Sequence, residues 1–324
     1  MTDNKILSII IPMYNVEKYV SKAIKSIEND SDHIEIIIVN DGSTDKSLEV
    51  VSKLIDEQKN IRILNKKNEG VGLARNSGYY ESVGEYVYFM DPDDYLEPGF
   101  VQNVIVKIKN INPNVILFGV RSVDENGNTI NIKVPEKQLF IKENYEVAMK
   151  YDYLEKQLFI FSPWNKIYKK SFLKEHSLKF TSQRVGQDAL FNIEMLKVAT
   201  KVYVDNEIYY NYLITRKNSA QNAINTSKIY DELNIFFEYK KMFKFWNIDG
   251  KKNYSGYAVY LFKNNLSNIN HKNKYDKKEL NDIRARMGKL NFKADIMIFV
   301  IINFPHILKY FQRLIRRLKG GERN

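Results

Sequence analysis

Residues 86–99 read "YVYFMDPDDYLEPG", and the meaning of this stretch decides the fold. Five strand-forming residues, Tyr86 to Met90, run straight into Asp91, Asp93 and Asp94. A buried strand that ends in clustered negative charge needs a counter-charge. Two carboxylates one residue apart on a loop offer the hard oxygen ligands that Mg²⁺ and Mn²⁺ take, with water and substrate phosphate completing the shell. A plain turn explains the same letters, because Asp and Pro are common turn residues and Pro98-Gly99 closes one. The surrounding sequence weighs between the two.

Upstream, "ILSIII" (6–11), "IEIIIV" (34–39) and "IRIL" (61–64) read as buried strands. Between them the spacing turns helical. Val16, Val20, Ala23, Ile24 and Ile27 share one face over 16–29, and Leu48, Val51, Leu54 and Ile55 share another over "KSLEVVSKLIDEQ". "NEGVGLARNSGYYES" gives a Gly-rich loop and then a helix, and "EYVYFMD" (85–91) a fourth strand. This alternation implies right-handed crossovers and a mostly parallel α/β sheet flanked by helices. Ligands of such sheets bind at the carboxyl ends of the strands, where "PMYN", "NDGSTD" and "DPDD" all fall.

Past residue 100 the pattern loosens. "NVILFGV" (114–120) is a strand and "VDENGNTI" a hairpin turn. Residues 136–160 are expected to be helical, and a helix opens near Gln187. "KVYVDNEIYYNYL" is a strand pair or one long strand, and the chain is helical from about 226. The expected organisation is a catalytic domain over 1–225, with a nucleotide-binding half (1–100) and an acceptor half (101–225). A helical, basic region follows over 226–324.

Composition narrows the chemistry. The 324 residues include no Cys and four His, which excludes disulfides, thiolate metal sites and a Cys nucleophile and disfavours zinc. No signal peptide is expected, because the first apolar run stops at Pro12. The apolar run "IMIFVII" (296–302) is too short to span a bilayer. A cytoplasmic protein is therefore expected. Residues 1–100 carry 11 Lys and Arg against 18 Asp and Glu, whereas the remainder carries 39 against 21, so the two parts face different partners.

Two further motifs join the acidic loop. Asp41 ends a buried strand beside Gly42, where a carboxylate can accept a hydrogen bond from a base edge such as uracil N3–H. Ser43, Thr44 or Asp45 can cap the next helix without competing for that role. In "NEGVGLARNSG", Gly70 and Gly72 permit close backbone approach and Arg75 can face a diphosphate; the alternative is a surface Arg on an amphipathic helix.

In their order and spacing, "SIIIPMYNVEKYVSKAIKSI", "IEIIIVNDGSTDKS" and "NEGVGLARNSGYYESVGEYVYFMDPDDYLEPG" resemble the family 2 nucleotide-sugar glycosyltransferases of GT-A fold. The resemblance covers the first 100 residues or so continuously. It thins to "SPWNKIYKKSFL", similar to a W-x-K segment, and "GQDALF", similar to E-D-x-x-F with Gln187 where an acidic residue is usual. "YYNYLITRKNSAQ" resembles a Y-x-x-R-x-x-S element.

The resemblance implies an inverting, metal-assisted transfer from a UDP-sugar in bacterial surface polysaccharide synthesis, capsule included. It implies that Pro12, Tyr14 and Glu17 line the nucleotide pocket and that Asp41 holds the uracil. Arg75 and Asn76 lie near the sugar diphosphate. Asp91 and Asp93 form a D-x-D element, with Asp93 and its neighbour Asp94 as the metal ligands for Mn²⁺ or Mg²⁺. Asp188 is the general base beneath the acceptor, and the competing role for it is a helix cap. Trp164, Lys166, Arg216 and Ser219 are further candidates. A Trp can stack on a sugar, although core packing is its commoner use.

Residues 284–324 mix Arg284, Arg286, Lys289, Lys293, Lys309, Arg313, Arg316, Arg317, Lys319 and Arg323 with apolar residues, against Asp295 and Glu322. Such a segment can lie on an anionic membrane, which suits a lipid-linked or glycan acceptor, or pack on the enzyme or in a homo-oligomer. Nucleic acid is not expected, for want of a recognition motif. Two rivals remain at this level. One is a scaffold that binds UDP-sugar without chemistry. The other is a D-x-D-x-T phosphohydrolase with Asp91 as nucleophile, which leaves the Asp41 block unexplained.

Overall fold

The computed structural model describes residues 5–27, 32–55, 60–214, 228–265 and 277–304. The chain divides into two compact units, Met1–Ser219 and Ala220–Asn324.

In the first unit the β-branched runs form the centre of a sheet. Strand β1 (Leu7–Met13) and β2 (Ile34–Asp41) are buried along their whole length. They pair in parallel, Ile10 opposite Ile37, and β1 pairs in parallel with β4 (Tyr86–Phe89), Ile10 opposite Phe89. Helices α1 (Val20–Lys25) and α2 (Ser47–Ile55) make the crossovers to β2 and to β3 (Ile61–Lys66). Helix α3 (Val71–Glu81) returns the chain to β4 and lies close on the sheet. A Cβ at Gly78 would stand 2.4 Å from Ile10 Cγ2, so only glycine allows that approach.

The second half of the sheet runs through β5 (Tyr95–Leu96), α4 (Phe100–Ile111), β6 (Val115–Val123), β7 (Thr129–Lys133) and β8 (Leu139–Ile141). It continues with α5 (Asn144–Met149), α6 (Tyr151–Gln157), β9 (Lys166–Lys169), α7 (Lys170–Glu175), α8 (Gln187–Val198) and β10 (Val202–Leu213). The order is β3-β2-β1-β4-β9-β6-β10-β5, with β7 on β6 and β8 on β10. β9 runs antiparallel between β4 and β6, whereas β6 and β10 pair in parallel. The result is the expected mostly parallel α/β sheet flanked by helices. The chain after Asp91 re-enters the sheet beside β10, so the acidic loop is walled by a strand more than 100 residues away.

Three expectations shift. The first helix is shorter than 16–29, because Asn15 takes a left-handed backbone (φ 51°) and Val16 N–H donates to Ser47 Oγ at 2.8 Å. Residues 136–160 are not all helical: Leu139–Ile141 pairs antiparallel with β10, and a capping box of Glu143 and Glu146 fixes the helix start at Asn144. "KVYVDNEIYYNYL" is one long strand, β10, with irregular register between Val204 and Tyr210.

The second unit is helical in its described residues: α9 (Lys228–Trp246), α10 (Lys251–Asn264), α11 (Lys277–Arg286) and α12 (Phe292–Asn303). Leu233 and Phe236 of α9, Leu261 and Phe262 of α10, Ile283 of α11 and Ile298 and Ile301 of α12 share one core. Buried Glu232 accepts hydrogen bonds from the Asn264 and Asn265 amides at 2.6 and 2.5 Å. Among the described residues no helix is long and apolar enough to cross a membrane.

Candidate active site

The carboxyl ends of β1 and β2 carry the first group of expected residues. Pro12 is buried in β1 opposite Val39, and Tyr14 is exposed on the loop that follows. That loop is fastened to the start of α2. Asn15 Oδ1 accepts from Thr44 N–H at 2.8 Å, Glu17 N–H donates to Asp45 Oδ2 at 3.1 Å, and Glu17 Oε2 accepts from Lys46 N–H at 2.9 Å. Asp41 is buried at the end of β2. Its oxygens accept from the backbone N–H groups of Glu69 at 3.0 Å and Gly70 at 2.8 Å. The carboxylate thereby ties β2 to the loop that opens α3.

The end of β4 gathers the acidic cluster. One oxygen from each of Asp91, Asp93 and Asp94 lies within 4.8 Å of the others. Asp94 faces inward: Oδ2 accepts from Tyr210 Oη at 2.6 Å and Oδ1 from Leu213 N–H at 2.8 Å. The Tyr210 hydroxyl also accepts from Asp91 N–H at 3.2 Å, so β10 sets the shape of the acidic loop. Burial, then repulsion from Asp93 and Asp91, pushes the Asp94 carboxyl well above its ordinary value. Asp91 is also pushed up by burial; the Arg75 charge pulls it back, and Asp93 and Asp188 push it further up.

Arg75 is the hub. It is 4% exposed, and its Nη2 donates to Asp91 Oδ1 at 2.6 Å while Nη1 donates to Gln187 Oε1 at 3.2 Å. Its guanidinium carbon lies 5.2 Å from the centre of the Phe180 ring. One turn of α3 therefore reaches from the acidic loop to the first residue of α8. The neighbouring positions hold that span. Asn76 Nδ2 donates to Phe180 O at 2.8 Å, and its Oδ1 accepts from Phe180 N–H at 2.9 Å. At Gly72 a Cβ would come within 2.6 Å of Thr181 O, so glycine lets α3 lie against the segment leading to α8.

Asp188 sits in the first turn of α8, after Gly186 in a left-handed backbone, with Oδ1 accepting from Ala189 N–H at 2.9 Å. Its charge acts on both Asp91 and Lys166, which places it in the same electrostatic neighbourhood as the acidic loop. The structure thus brings Arg75, Asp91, Asp93, Asp94, Gln187 and Asp188 together.

Trp164 and Lys166 lie buried behind the site rather than open to it. Trp164 is buried and stacks on Tyr210 (4.8 Å, 5°) and Tyr212 (5.1 Å, 17°), which is the packing use raised for it above. Lys166 is fully buried. Its Nζ donates to Phe159 O, Ser162 O and Asn165 Oδ1 at 3.1, 2.6 and 2.9 Å, and burial lowers its proton affinity well below that of an ordinary Lys. Both hold the turn before β9. Arg216 and Ser219 lie outside the described residues.

The donor set fits Mg²⁺ or Mn²⁺: oxygen ligands only, like charges crowded together, and two carboxyls pushed up by burial. Asp94, expected to ligate directly, has both oxygens engaged by internal donors. The cluster's outward-facing carboxylates are Asp91 and Asp93. Sequence reasoning passed over Tyr210, whose partner is 116 residues away, and treated Gln187 as a departure rather than as the acceptor for Arg75. The period-two pattern of β10 was the available signal, since it sets Tyr210 and Tyr212 on one face.

Residues 8–177 match the family model described as "Glycosyl transferase family 2". The chain belongs to this family. Glycosyltransferase GlyA of Streptococcus pneumoniae is 30% identical over 233 residues, which cover 69% of this chain and 32% of GlyA. A poly(ribitol-phosphate) beta-glucosyltransferase of Bacillus spizizenii is 29% identical over 65% of this chain and 32% of its own length. The chain thus spans about a third of these relatives. The crystal structure of S. aureus TarS 1–349 in complex with UDP-GlcNAc is similar with a TM-score of 0.67 at 19% identity, over 95% of this chain and 92% of that one. This family 2 chain shares the TarS fold.

Proposed function

We propose that this family 2 chain is an inverting glycosyltransferase that moves a sugar from a UDP-sugar to a hydroxyl of a glycan, polyol-phosphate or lipid-linked acceptor in bacterial surface polymer synthesis. The observation that carries the reading is Arg75, hydrogen-bonded at once to Asp91 of the acidic loop and to Gln187 beside Asp188. It supports one reaction centre shared by the donor loop and the acceptor helix. TarS, of like fold, binds UDP-GlcNAc, and two of the relatives are named for poly(ribitol-phosphate).

In this reading Pro12, Tyr14 and Glu17 border the nucleotide, and Asp41 accepts from uracil N3–H. Asp91 and Asp93 would hold a divalent cation, which supplies charge neutralisation on the departing diphosphate. Arg75 fixes Asp91 toward the donor and, through Gln187, the first turn of α8. Asp188 takes the acceptor's proton as its oxygen attacks C1. The new O–C1 bond forms as the bond from C1 to the diphosphate oxygen breaks, and the electron pair leaves on UDP. A single displacement inverts C1 and needs one carboxylate base, unlike the paired carboxylates of a retaining enzyme.

The test is UDP release from a panel of UDP-sugars with Mn²⁺ or Mg²⁺, without acceptor. One donor is expected to hydrolyse slowly and others not, since a missing or misplaced hydroxyl leaves buried polar groups unpaired. Absence of UDP release from every donor with either cation sinks the reading.

A further inference from the structure

Helix α12 carries apolar residues on two faces, with Lys293, Asp295 and Asn303 as its polar positions. Ala294, Ile298, Ile301 and Ile302 are buried in the core of the second unit. Phe292, Ile296 and Phe299, spaced i, i+4 and i+7 on the other face, are 80%, 47% and 59% exposed, and Phe304 beyond them is 48% exposed. A contiguous exposed apolar stripe marks an interaction surface. The cover has to suit the charge around it. Lys289 and Lys293, which flank the stripe's first residue in the chain, are exposed. Asp295 is ion-paired with Arg284 and so offers little to offset them. Residues 220–324 carry 21 Lys and Arg against 9 Asp and Glu, whereas residues 1–219 carry 29 against 30. Cationic charge is thus concentrated in the unit that exposes the stripe.

We infer that the Phe292–Ile296–Phe299 face of α12 docks on an anionic lipid surface, aromatic rings in the interface and Lys289 and Lys293 at the headgroups. The chemistry of an interfacial helix asks for this combination of apolar face and neighbouring cations. A second copy of the chain fits less well. Each copy would bring the same basic unit, 21 Lys and Arg against 9 Asp and Glu, to such a contact. The inference does not depend on the sugar-transfer reading, because it uses neither the acidic cluster nor Asp188.

The test uses the full chain and co-sedimentation with two kinds of vesicle, phosphatidylcholine alone and phosphatidylcholine mixed with phosphatidylglycerol. Wild-type protein is expected to bind the mixed vesicles and to bind the neutral ones about tenfold more weakly or less. Phe292→Ser with Phe299→Ser is expected to cut binding to the mixed vesicles about tenfold or more. Phe140→Ser, at an exposed position in the other unit, should change nothing. Phe292→Ser alone, at the most exposed of the three positions, serves if the double variant fails to fold. Two results overturn the inference. One is unchanged vesicle binding by these variants. The other is a wild-type dimer that the double variant splits while vesicle binding persists, which would make the cover a second copy. UDP release without vesicles reports on the sugar-transfer reading separately.

Discussion

Asp41 and Asp94 are equally buried, 2% exposed each, at the ends of strands that flank β1. Their neighbourhoods differ. Asp41 closes β2 against two peptide N–H groups of a single loop. Asp94 also has two donors, Tyr210 and Leu213, but it shares its loop with two more carboxylates and with the guanidinium of Arg75. Burial alone therefore does not make a carboxylate a cation site. Two well-placed donors can satisfy a buried carboxylate, whereas three carboxylates within 4.8 Å of one another, with Arg75 paired to Asp91, leave negative charge that invites a cation. The end of β2 holds a loop, and the end of β4 gathers charge.

The sharpest way to break this comparison is Asp188→Asn. If the reaction centre lies at the β4 end and Asp188 is its base, transfer should fall by about 100-fold or more, the usual scale of general-base catalysis. UDP binding, which the proposed reading assigns to the β2 end, should stay within about twofold of wild type. Initial rates together with calorimetric titration of UDP check both halves. Full transfer activity in the variant removes Asp188 from the mechanism. Loss of UDP affinity would mean that the two ends are not separable.

A smaller effect comes from the charge stored at Asp94. Its carboxyl is raised well above the ordinary 3.8 by burial and by its acidic neighbours. The unfolded chain gives up that proton first. The group's contribution to stability is therefore complete below about pH 4 and is lost as pH rises through the raised native value. Metal-free protein should become less stable over that range. Asp94→Asn keeps one acceptor and cannot ionise. It should cost about 1 kcal/mol at the acid end, the scale of one hydrogen bond, and close the gap to wild type as pH rises. Denaturant melts at a series of pH values check this, and parallel curves for the two proteins would refute it.

The sheet was legible because apolar strands and helical segments are local signals, with four strands and three helices alternating up to residue 91. The acidic loop was legible for the same reason: its three carboxylates are neighbours in the chain. The walls of the site were not. Arg75 meets Gln187 across 112 positions, Asn76 meets Phe180 across 104, and Tyr210 meets Asp94 across 116. No local pattern encodes such pairings; they follow from β9 and β10 entering the sheet out of chain order. The inward roles of Trp164 and Lys166 were hidden likewise, since each depends on which way a turn faces.

The finest test of the comparison is Gln187→Glu. Gln187 gives Arg75 a neutral acceptor, so Asp91 is the charged one of its two hydrogen-bond partners here. A glutamate keeps the acceptor oxygen and adds a negative charge one residue from Asp188. That charge stands beside the proposed base and is partly neutralised by Arg75, so the acidic limb of the kcat/KM profile should move to higher pH. Gln187→Ala does something different. It leaves a buried Arg75 N–H unpaired, which should cost about 1–2 kcal/mol of stability while leaving the limb in place. An unmoved limb in Gln187→Glu would mean that Arg75 absorbs the added charge completely. Gln187 would then serve only to position α8, and the electrostatic link between the two helix starts would reduce to one hydrogen bond.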